Sequence, residues 1–461
     1  MTQYELDKTK RSALIVTTTS SFLTPLALST VNIALPSIGR FFSLDVMTLS
    51  WIATAYLLSA AIFLVPFGKI ADIYGRKKIF VLGTAIFTAS SFILGISNGP
   101  VILIIFRVFQ GIGGAMIFGT GIAILSSVFP LGERGKVLGI NVAAVYVGLS
   151  VGPFLGGILT QQIGWRSIFL FNCPLGIFII ILTLKRLKGD WSEGRKDSFD
   201  IIGSLIYSIM LLFLMYGFSK LPSVKGIWLI IIGIAGLSGF AWWETKVKHP
   251  IIDMSLFMTN RVFTLSNLAA LLNYSATFAV GFLLSLYLQY IKKLSPQTAG
   301  LILVSQPFVQ AILSPLAGRA SDRIEPRIVA SLGMAWTAIG LILLAFLTDT
   351  TGILYTVITL IIIGTGFALF ASPNTNAIMS SVESRFYGVA SSMLATMRLL
   401  GQLFSMGVAM LIFAIYMGEF EASASQHIHL MRSIKTAFII FGLLCIFGVY
   451  ISLTRGDLRK R

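Results

Sequence analysis

Charge is scarce in this chain of 461 residues, because Asp, Glu, Lys and Arg together make up only 11% of it. A soluble domain carries about 25% charged residues, and no single soluble core could absorb the 56% of this sequence that is hydrophobic. The long apolar runs do not alternate with polar residues, as residues 228–234 show, which excludes the strands of a membrane β-barrel. The sequence therefore predicts an all-α polytopic membrane protein.

Cysteine and histidine are also too few to indicate a metal site or an active site. Cys173 and Cys445 both lie in apolar runs and define neither a disulfide framework nor a metal site. His427 and His429 form an H-x-H pair, but no cysteine or acid cluster completes a set of metal ligands. No Ser/His/Asp or Cys/His set and no ATP-binding domain stands out, so we expect neither an enzyme nor a cofactor.

Fourteen apolar segments have lengths near or above the roughly 20 residues that a helix needs to cross a bilayer. These predicted spans, numbered in chain order, lie at about 13–36, 49–69, 79–97, 101–128, 137–160, 166–185, 199–219, 226–244, 262–290, 296–318, 327–348, 351–380, 388–416 and 434–454. The segments on the side of the two termini hold 25 of the 35 Lys and Arg residues, and the other side holds 8. Basic loops stay in the cytoplasm, so we expect a cell-membrane protein with both termini cytoplasmic. The net charge of +17 then reports topology and not nucleic-acid binding.

The loop between predicted spans 2 and 3, residues 68–80, organises the chain. Asp72 and Arg76 are four residues apart and share one face of a helical turn, and Gly75 lies where the helix should end. This loop resembles the one between the second and third spans of the major facilitator superfamily. The resemblance implies a cytoplasmic gate formed by Gly68, Asp72, Gly75 and Arg76. We expect Asp72 to face the N-terminus of span 13, at residues 388–391, where the helix dipole favours an anion.

A similar stretch, residues 318–323, follows predicted span 10. If the two stretches correspond, residues 1–187 form an N-terminal six-helix bundle and residues 261–461 a C-terminal one. Residues 188–260 are then a linker with two inserted transmembrane helices. The resemblance implies the major facilitator fold, whose repeats place the substrate site at their interface near the bilayer midplane.

Predicted span 5 carries glycines at a regular spacing. Gly148, Gly152 and Gly156 recur every four residues, so they line one helix face on which another helix can approach closely, and Pro153 can bend the helix. Tight packing alone would explain this pattern. The whole string as far as Gly157 nevertheless resembles the signature of exporters in the superfamily, which implies efflux.

Predicted span 4 contains a charge. Arg107, Gly111 and Gly114 fall on one stripe of the helix, so we expect Arg107 to face other helices and not lipid. A charge at mid-membrane costs at least about 2.5–3.5 kcal/mol, which makes Arg107 a functional candidate. The alternative is a structural arginine that bonds backbone carbonyls. Arg107 and Gln110 stand in a string that resembles the superfamily's fourth-span motif, which implies a role in proton coupling.

Further matches narrow the resemblance to the 14-span drug:proton antiporter family of multidrug efflux transporters. They are residues 26–36, 165–176, 249–253 and 295–301. The resemblance implies a secondary active transporter that exports small amphiphilic compounds by proton-coupled alternating access. We therefore expect a small-molecule substrate, protons and the lipid bilayer as partners, no nucleic acid, and a monomer.

No acidic residue lies in the middle of a predicted span. That family's first-span aspartate is replaced by Ala27, and all 18 Asp and Glu residues lie in loops or at span ends. Arg107 and Arg398 are the basic residues within spans, so we expect a neutral or anionic amphiphile as substrate. The candidates for lining the cavity, for each of which interhelical hydrogen bonding is the alternative, are Asn32, Tyr56, Gln289, Asn376, Arg398 and Gln402. Two other functions stay open, namely an exporter of one specific neutral or anionic metabolite or lipid-like molecule, and a non-transporting membrane sensor.

Overall fold

The computed structural model describes residues 3–187, 189, 199–247, 250–252, 254–383, 387–417 and 427–457. Every regular element in these ranges is a helix. Fourteen of the described helices are long and apolar enough to cross a membrane, which confirms the predicted number and type of elements. Because this number is even, both termini lie on one face of the helix array. We call it the terminus face and the other the opposite face.

The first six spans are consecutive and connected by short turns. Their helices are Gln3–Phe42, Val46–Tyr74, Arg76–Gly95, Pro100–Val128, Leu131–Gln162, and the pair Ser167–Leu170 and Asn172–Arg186, which together form span 6. Asp45 caps span 2, since its carboxylate accepts a hydrogen bond from the backbone N–H of Thr48 at 2.6 Å. Spans 3 and 4 approach so closely that a Cβ on Gly113 would lie 2.6 Å from the carbonyl oxygen of Gly83.

Two further spans, Ile201–Lys220 and Val224–Glu244, pack on each other as an inserted pair. The Tyr207 hydroxyl of span 7 donates a hydrogen bond to the carbonyl of Ala61 in span 2, at 3.0 Å. Phe218, at the other end of span 7, lies against Gly407 of span 13. The inserted pair therefore contacts both halves of the chain. The outer side of span 8, with Trp228 and Ile234 more than half exposed, is suited to lipid.

The last six spans follow a short helix, Ser255–Thr259. They are Arg261–Thr277 continued by Ala279–Leu286 and the π-helical turn Tyr287–Ile291, then Pro296–Leu303 continued by Ser305–Arg323, and finally Pro326–Ala345, Ile353–Ser380, Tyr387–Tyr416 and His427–Thr454. Span 9 is interrupted after Thr277, where the hydroxyl of Ser405 accepts the backbone N–H of Ala279 at 3.0 Å. This bond replaces one that an unbroken helix would supply.

Candidate transport pathway

The first and last six spans touch near the opposite face. The amide nitrogen of Gln289 donates a hydrogen bond to the carbonyl oxygen of Ile33 at 2.9 Å. One residue on, the Tyr290 hydroxyl donates to the carbonyl of Pro36 at 3.1 Å. Span 9 is thereby joined to span 1 close to the membrane boundary, and Gln289, a predicted cavity residue, belongs to this contact.

Spans 5 and 10 also touch, through backbone atoms with no side chain between them. A Cβ on Gly157 would lie 2.7 Å from the carbonyl oxygen of Pro296, and one on Gly300 would lie 2.2 Å from that of Pro153. Any side chain at Gly157 or Gly300 would therefore force the two spans apart. Together with the Gln289 and Tyr290 bonds, this contact closes the opposite face, and we call these residues the closing contact.

The other glycines of span 5 point elsewhere. A Cβ on Gly148 would lie 2.5 Å from the carbonyl oxygen of Phe22, and one on Gly156 would lie 2.9 Å from the α-carbon of Thr30. Gly152 likewise lies directly against Ser29. All three neighbours belong to span 1, so this glycine face packs within the first six spans, whereas Gly157 faces span 10.

Four polar side chains meet between spans 5, 9, 10 and 13, on the terminus side of the closing contact. The guanidinium carbon of Arg398 lies 5.2 Å from the ring centroid of Tyr274. Tyr146 lies within electrostatic reach of both side chains and within hydrogen-bonding reach of Gln310. We call these four residues the arginine–tyrosine cluster. Tyr146 is near the middle of its helix, so the cluster lies at about mid-membrane.

The cluster is positively charged and accessible. The side chains of Arg398 and Tyr146 are partly exposed although they lie midway along their helices. Because they also face other spans, we infer that a cleft lies between these spans. The Nε atom of Arg398 is buried without a hydrogen-bond partner. Every carboxylate in the described part of the chain lies in a loop or at a helix end. The guanidinium at mid-membrane therefore has no carboxylate beside it in the described part of the chain.

Two more of the predicted cavity residues face the same interface. Gln402, one turn from Arg398, is partly exposed. Asn32 of span 1 lies opposite Gly281 of span 9, and its Oδ1 atom is buried without a hydrogen-bond partner. Between Arg398 and Gln402, Gly401 packs on the backbone of Leu271 in span 9.

Arg107 lies elsewhere, inside the first six spans, and is 0% exposed. Its Nε donates to the carbonyl of Ile52 at 3.0 Å, and its Nη1 donates to the side chain of Gln110 at 2.6 Å. Gln110 in turn donates to the hydroxyl of Ser91 at 2.8 Å. The ring of Tyr56 lies 4.5 Å from the guanidinium carbon. Arg107 faces helices as predicted, and its contacts hold spans 2, 3 and 4 together.

The predicted gate lies at the terminus face. Gly75 ends span 2 and begins span 3 with a φ of 115°, a conformation that side chains disfavour. Across this turn the Arg76 Nε atom contacts a carboxylate oxygen of Asp72 at 2.8 Å, and Arg76 also donates to Ser127 of span 4. Asp72 remains 38% exposed. The predicted neighbours of Asp72, residues 388–391, lie in the first turns of Tyr387–Tyr416, and their contact with Asp72 stays a prediction.

The other predicted site residues lie away from the cleft. Tyr56 is 2% exposed and packs between Arg107 and Gly114. Asn376 donates to the hydroxyl of Ser321 at 2.9 Å, near the terminus face. No group of three or more potential metal ligands occurs among the described residues.

Tyr146, Tyr274 and Gln310 were missed by reasoning from the sequence. Their local sequences do not distinguish them from polar residues with a structural role, and the three residues meet only through the packing of spans 5, 9 and 10. Arg455 follows the last predicted span, so the sequence predicts a loop charge, but Arg455 is 1% exposed and donates to the side chain of Asn374 at 2.8 Å. Burial lowers the pKa of Arg455 to about 10, which leaves it charged at neutral pH.

The fold is therefore that of a helical membrane carrier, with fourteen spans and a polar cleft between two sets of six. The sequence matches the Major Facilitator Superfamily over residues 17–242 and 267–460, and the chain belongs to this family. It is a multi-pass membrane transporter with two six-helix bundles and two inserted central helices.

Three relatives that match most of the chain are named as transporters or as a multidrug resistance protein. The chain is 33% identical to the riboflavin transporter RibZ of Clostridioides difficile, over 94% of this chain and 93% of that protein. It is 31% identical to the multidrug transporter protein MdtP of Bacillus subtilis, over 88% of this chain and 75% of that protein. The multidrug resistance protein Stp of Mycobacterium tuberculosis is 30% identical, with coverage of 93% and 80%.

Solved structures show the same fold at low sequence identity. A bacterial homolog of the human lysosomal transporter Spinster superposes with a TM-score of 0.69 at 16% identity, covering 99% of this chain and 98% of that one. A D-xylose–proton symporter superposes with a TM-score of 0.68 at 13% identity, covering 98% and 99%.

Proposed function

We propose that the protein is a proton-coupled exporter of small neutral or anionic amphiphiles, of the 14-span drug:proton antiporter type. The observation that carries this proposal is the arginine–tyrosine cluster, which offers an uncompensated guanidinium beside aromatic rings in a cleft at mid-membrane. Rings favour an aromatic or amphiphilic substrate, and the missing mid-membrane carboxylate disfavours a cation. The multidrug names of two relatives support a broad range of amphiphiles.

The direction of transport follows from orientation and from span 5. The excess of Lys and Arg on the terminus face supports a cytoplasmic location of that face. Substrate then enters the cleft from the cytoplasm while the closing contact seals the opposite face. Parting of Gly157 from span 10 and of Tyr290 from span 1 would open the cleft outwards. The exporter-type glycine string supports release in this direction.

The moving units are residues 1–187 and 261–461, with residues 188–260 as the linker that holds the inserted pair. In the outward-open state the cytoplasmic gate of Gly68, Asp72, Gly75 and Arg76 closes against span 13. Asp72 remains partly exposed and exchanges protons at this gate, and Arg107 with Gln110 keeps span 4 in register with spans 2 and 3. The protein works as a monomer, since the cleft is formed within one chain.

A second candidate function is the transport of one metabolite. The relative named as a riboflavin transporter matches 94% of this chain at 33% identity. Riboflavin is a neutral molecule with an aromatic ring system and a polar chain, and such a molecule could stack on Tyr146 and Tyr274. This candidate differs from the first in having a narrow substrate range.

The experiment uses purified protein in proteoliposomes with an imposed pH gradient and a pH-sensitive dye in the lumen. Anionic, neutral and cationic aromatic amphiphiles and riboflavin are added in turn. We expect proton movement with anionic or neutral compounds, its loss in Arg398→Ala, and partial retention in Arg398→Lys. Lys225→Ala, an exposed cation at the opposite face, is the control that should match the wild type. Preferential transport of quaternary ammonium dyes would refute the proposed substrate class, and a response to riboflavin alone would select the second candidate.

A further inference from the structure

Among the side chains that the structure describes, Glu244 is the one carboxylate that is buried. It is the last residue of span 8, yet it is only 2% exposed. Its Oε2 atom accepts the backbone N–H of Ile252 at 2.7 Å. Its Oε1 atom is buried and has no hydrogen-bond partner. The transport mechanism makes no use of this group.

A second carboxyl group faces the free oxygen. Asp200 caps span 7, where its Oδ1 atom accepts the N–H of Gly203 at 2.9 Å and its Oδ2 atom accepts the indole N–H of Trp243 at 3.0 Å. Glu244 lies within side-chain hydrogen-bonding reach of Asp200. A Cβ on Gly203 would lie 2.4 Å from Asp200 Oδ2 and 2.7 Å from Glu244 Oε1. Only glycine leaves room for the two oxygens to meet there.

Two ionised carboxylates cannot form this contact, because both oxygens are hydrogen-bond acceptors and both carry negative charge. A proton between them turns the contact into a charge-assisted hydrogen bond. We propose that Asp200 and Glu244 bind one proton between them, as an acid–carboxylate pair that joins the inserted pair of spans to the segment entering the C-terminal bundle.

The surroundings assign the proton to Glu244. Asp200 lies at the N-terminus of a helix, where the helix dipole and two N–H donors favour its anion. Glu244 lies at the C-terminus of a helix, where the dipole disfavours an anion. With Oε1 protonated, Glu244 donates to Asp200 while Oε2 accepts from Ile252, and the free oxygen gains a partner. The N–H donors around the pair also make it unsuitable for a metal cation.

Other charges near the pair are few in the described ranges. Asp200 is the charged group that acts electrostatically on Glu244. The ammonium group of Lys246 lies over the ring of Trp242, 6.0 Å from its centroid. Lys248, His249 and Asp253 lie outside the described residues. Loss of the proton would thus leave two adjacent anions, and their repulsion would loosen the bond from Ile252 that holds the connecting segment.

Infrared spectroscopy of the purified full-length protein tests the proposal. We expect a carbonyl band of a protonated carboxylic acid at neutral pH, which disappears when the pH is raised. The band should be absent from Glu244→Gln and unchanged in Asp349→Asn, which alters an exposed acid at the opposite face. A neutral-pH spectrum of the wild type without such a band, or a band that survives in Glu244→Gln, would overturn the proposal.

Amide hydrogen exchange gives a second readout. In the wild type the peptide that contains Ile252 should exchange slowly at neutral pH and, after correction for the intrinsic rate, several-fold faster at alkaline pH. Glu244→Gln keeps a donor towards Asp200 and an acceptor for Ile252, so its corrected exchange should not depend on pH. The same pH dependence in this variant as in the wild type would contradict a shared proton. Both readouts are independent of any transported substrate.

Discussion

The closing contact between spans 5 and 10 makes a sharp prediction for Gly300. In Gly300→Ala the new Cβ would lie 2.2 Å from the carbonyl oxygen of Pro153 and 3.1 Å from its carbon. Both neighbours are backbone atoms, so they cannot rotate away, and the spans must separate. Overpacking of this kind costs about 1–3 kcal/mol. Because the clash exists only while the opposite face is closed, the whole cost falls on that state. The equilibrium should shift towards the open state by about 5- to 150-fold.

Distances between spin labels at Gln162 and Thr350 would measure this shift. Both residues are exposed at the opposite face, on either side of the closing contact, and Cys173 and Cys445 would first be replaced by alanine. We expect a larger population at the longer distance in Gly300→Ala than in the wild type. Gly148→Ala is the matched control, since its Cβ would meet the Phe22 carbonyl at 2.5 Å within one bundle. Unchanged distances in Gly300→Ala would refute the closing contact as a gate.

Three further substitutions test other parts of the structure. Gly75→Ala forces a side chain into a φ of 115° and should lower the free energy of unfolding by about 1–2 kcal/mol. Thermal unfolding measures this loss, and Gly121→Ala, whose Cβ would meet open space, is the control. Arg107→Leu leaves Gln110 and the Ile52 carbonyl without a buried donor, so we expect a loss of about 3 kcal/mol or more; a stability equal to the wild type would contradict the network. Tyr146→Phe removes one hydroxyl from the arginine–tyrosine cluster and should weaken substrate binding several-fold with unchanged stability, as equilibrium binding would show.

Local patterns predicted much of this architecture. The fourteen spans follow from the lengths of apolar runs, and the i, i+4 spacing of Asp72 and Arg76 predicts that the two side chains share one face of a helical turn. The i, i+4, i+7 stripe of Arg107 predicts that this side chain faces other helices. Each of these inferences needs only the geometry of one helix, and each agrees with the structure.

Contacts between distant segments were beyond such patterns. Tyr146 and Arg398 are separated by seven intervening spans, and nothing in either local sequence indicates that they meet. Arg455 follows the last span and looks like a loop charge, but the packing of spans 9, 12 and 14 buries it. Glu244 likewise ends a span, where a carboxylate is normally solvated. Glu244 is buried because the chain folds back so that Ile252 contacts it, and no sequence periodicity predicts this contact.

The two glycine faces of span 5 differ in how strongly they hold the neighbouring span. The face towards span 1 lies inside a bundle, backed by an extensive apolar core, whereas the face towards span 10 brings bare backbones together. A surface without side chains hides little apolar area from water or lipid, so parting it costs little. Moving a two-state equilibrium from 1:99 to 99:1 takes about 5.5 kcal/mol, which is within the reach of one bound molecule. Two rigid bundles joined by a contact that separates easily would thus let one bound ligand switch the protein between its two states without unfolding either bundle.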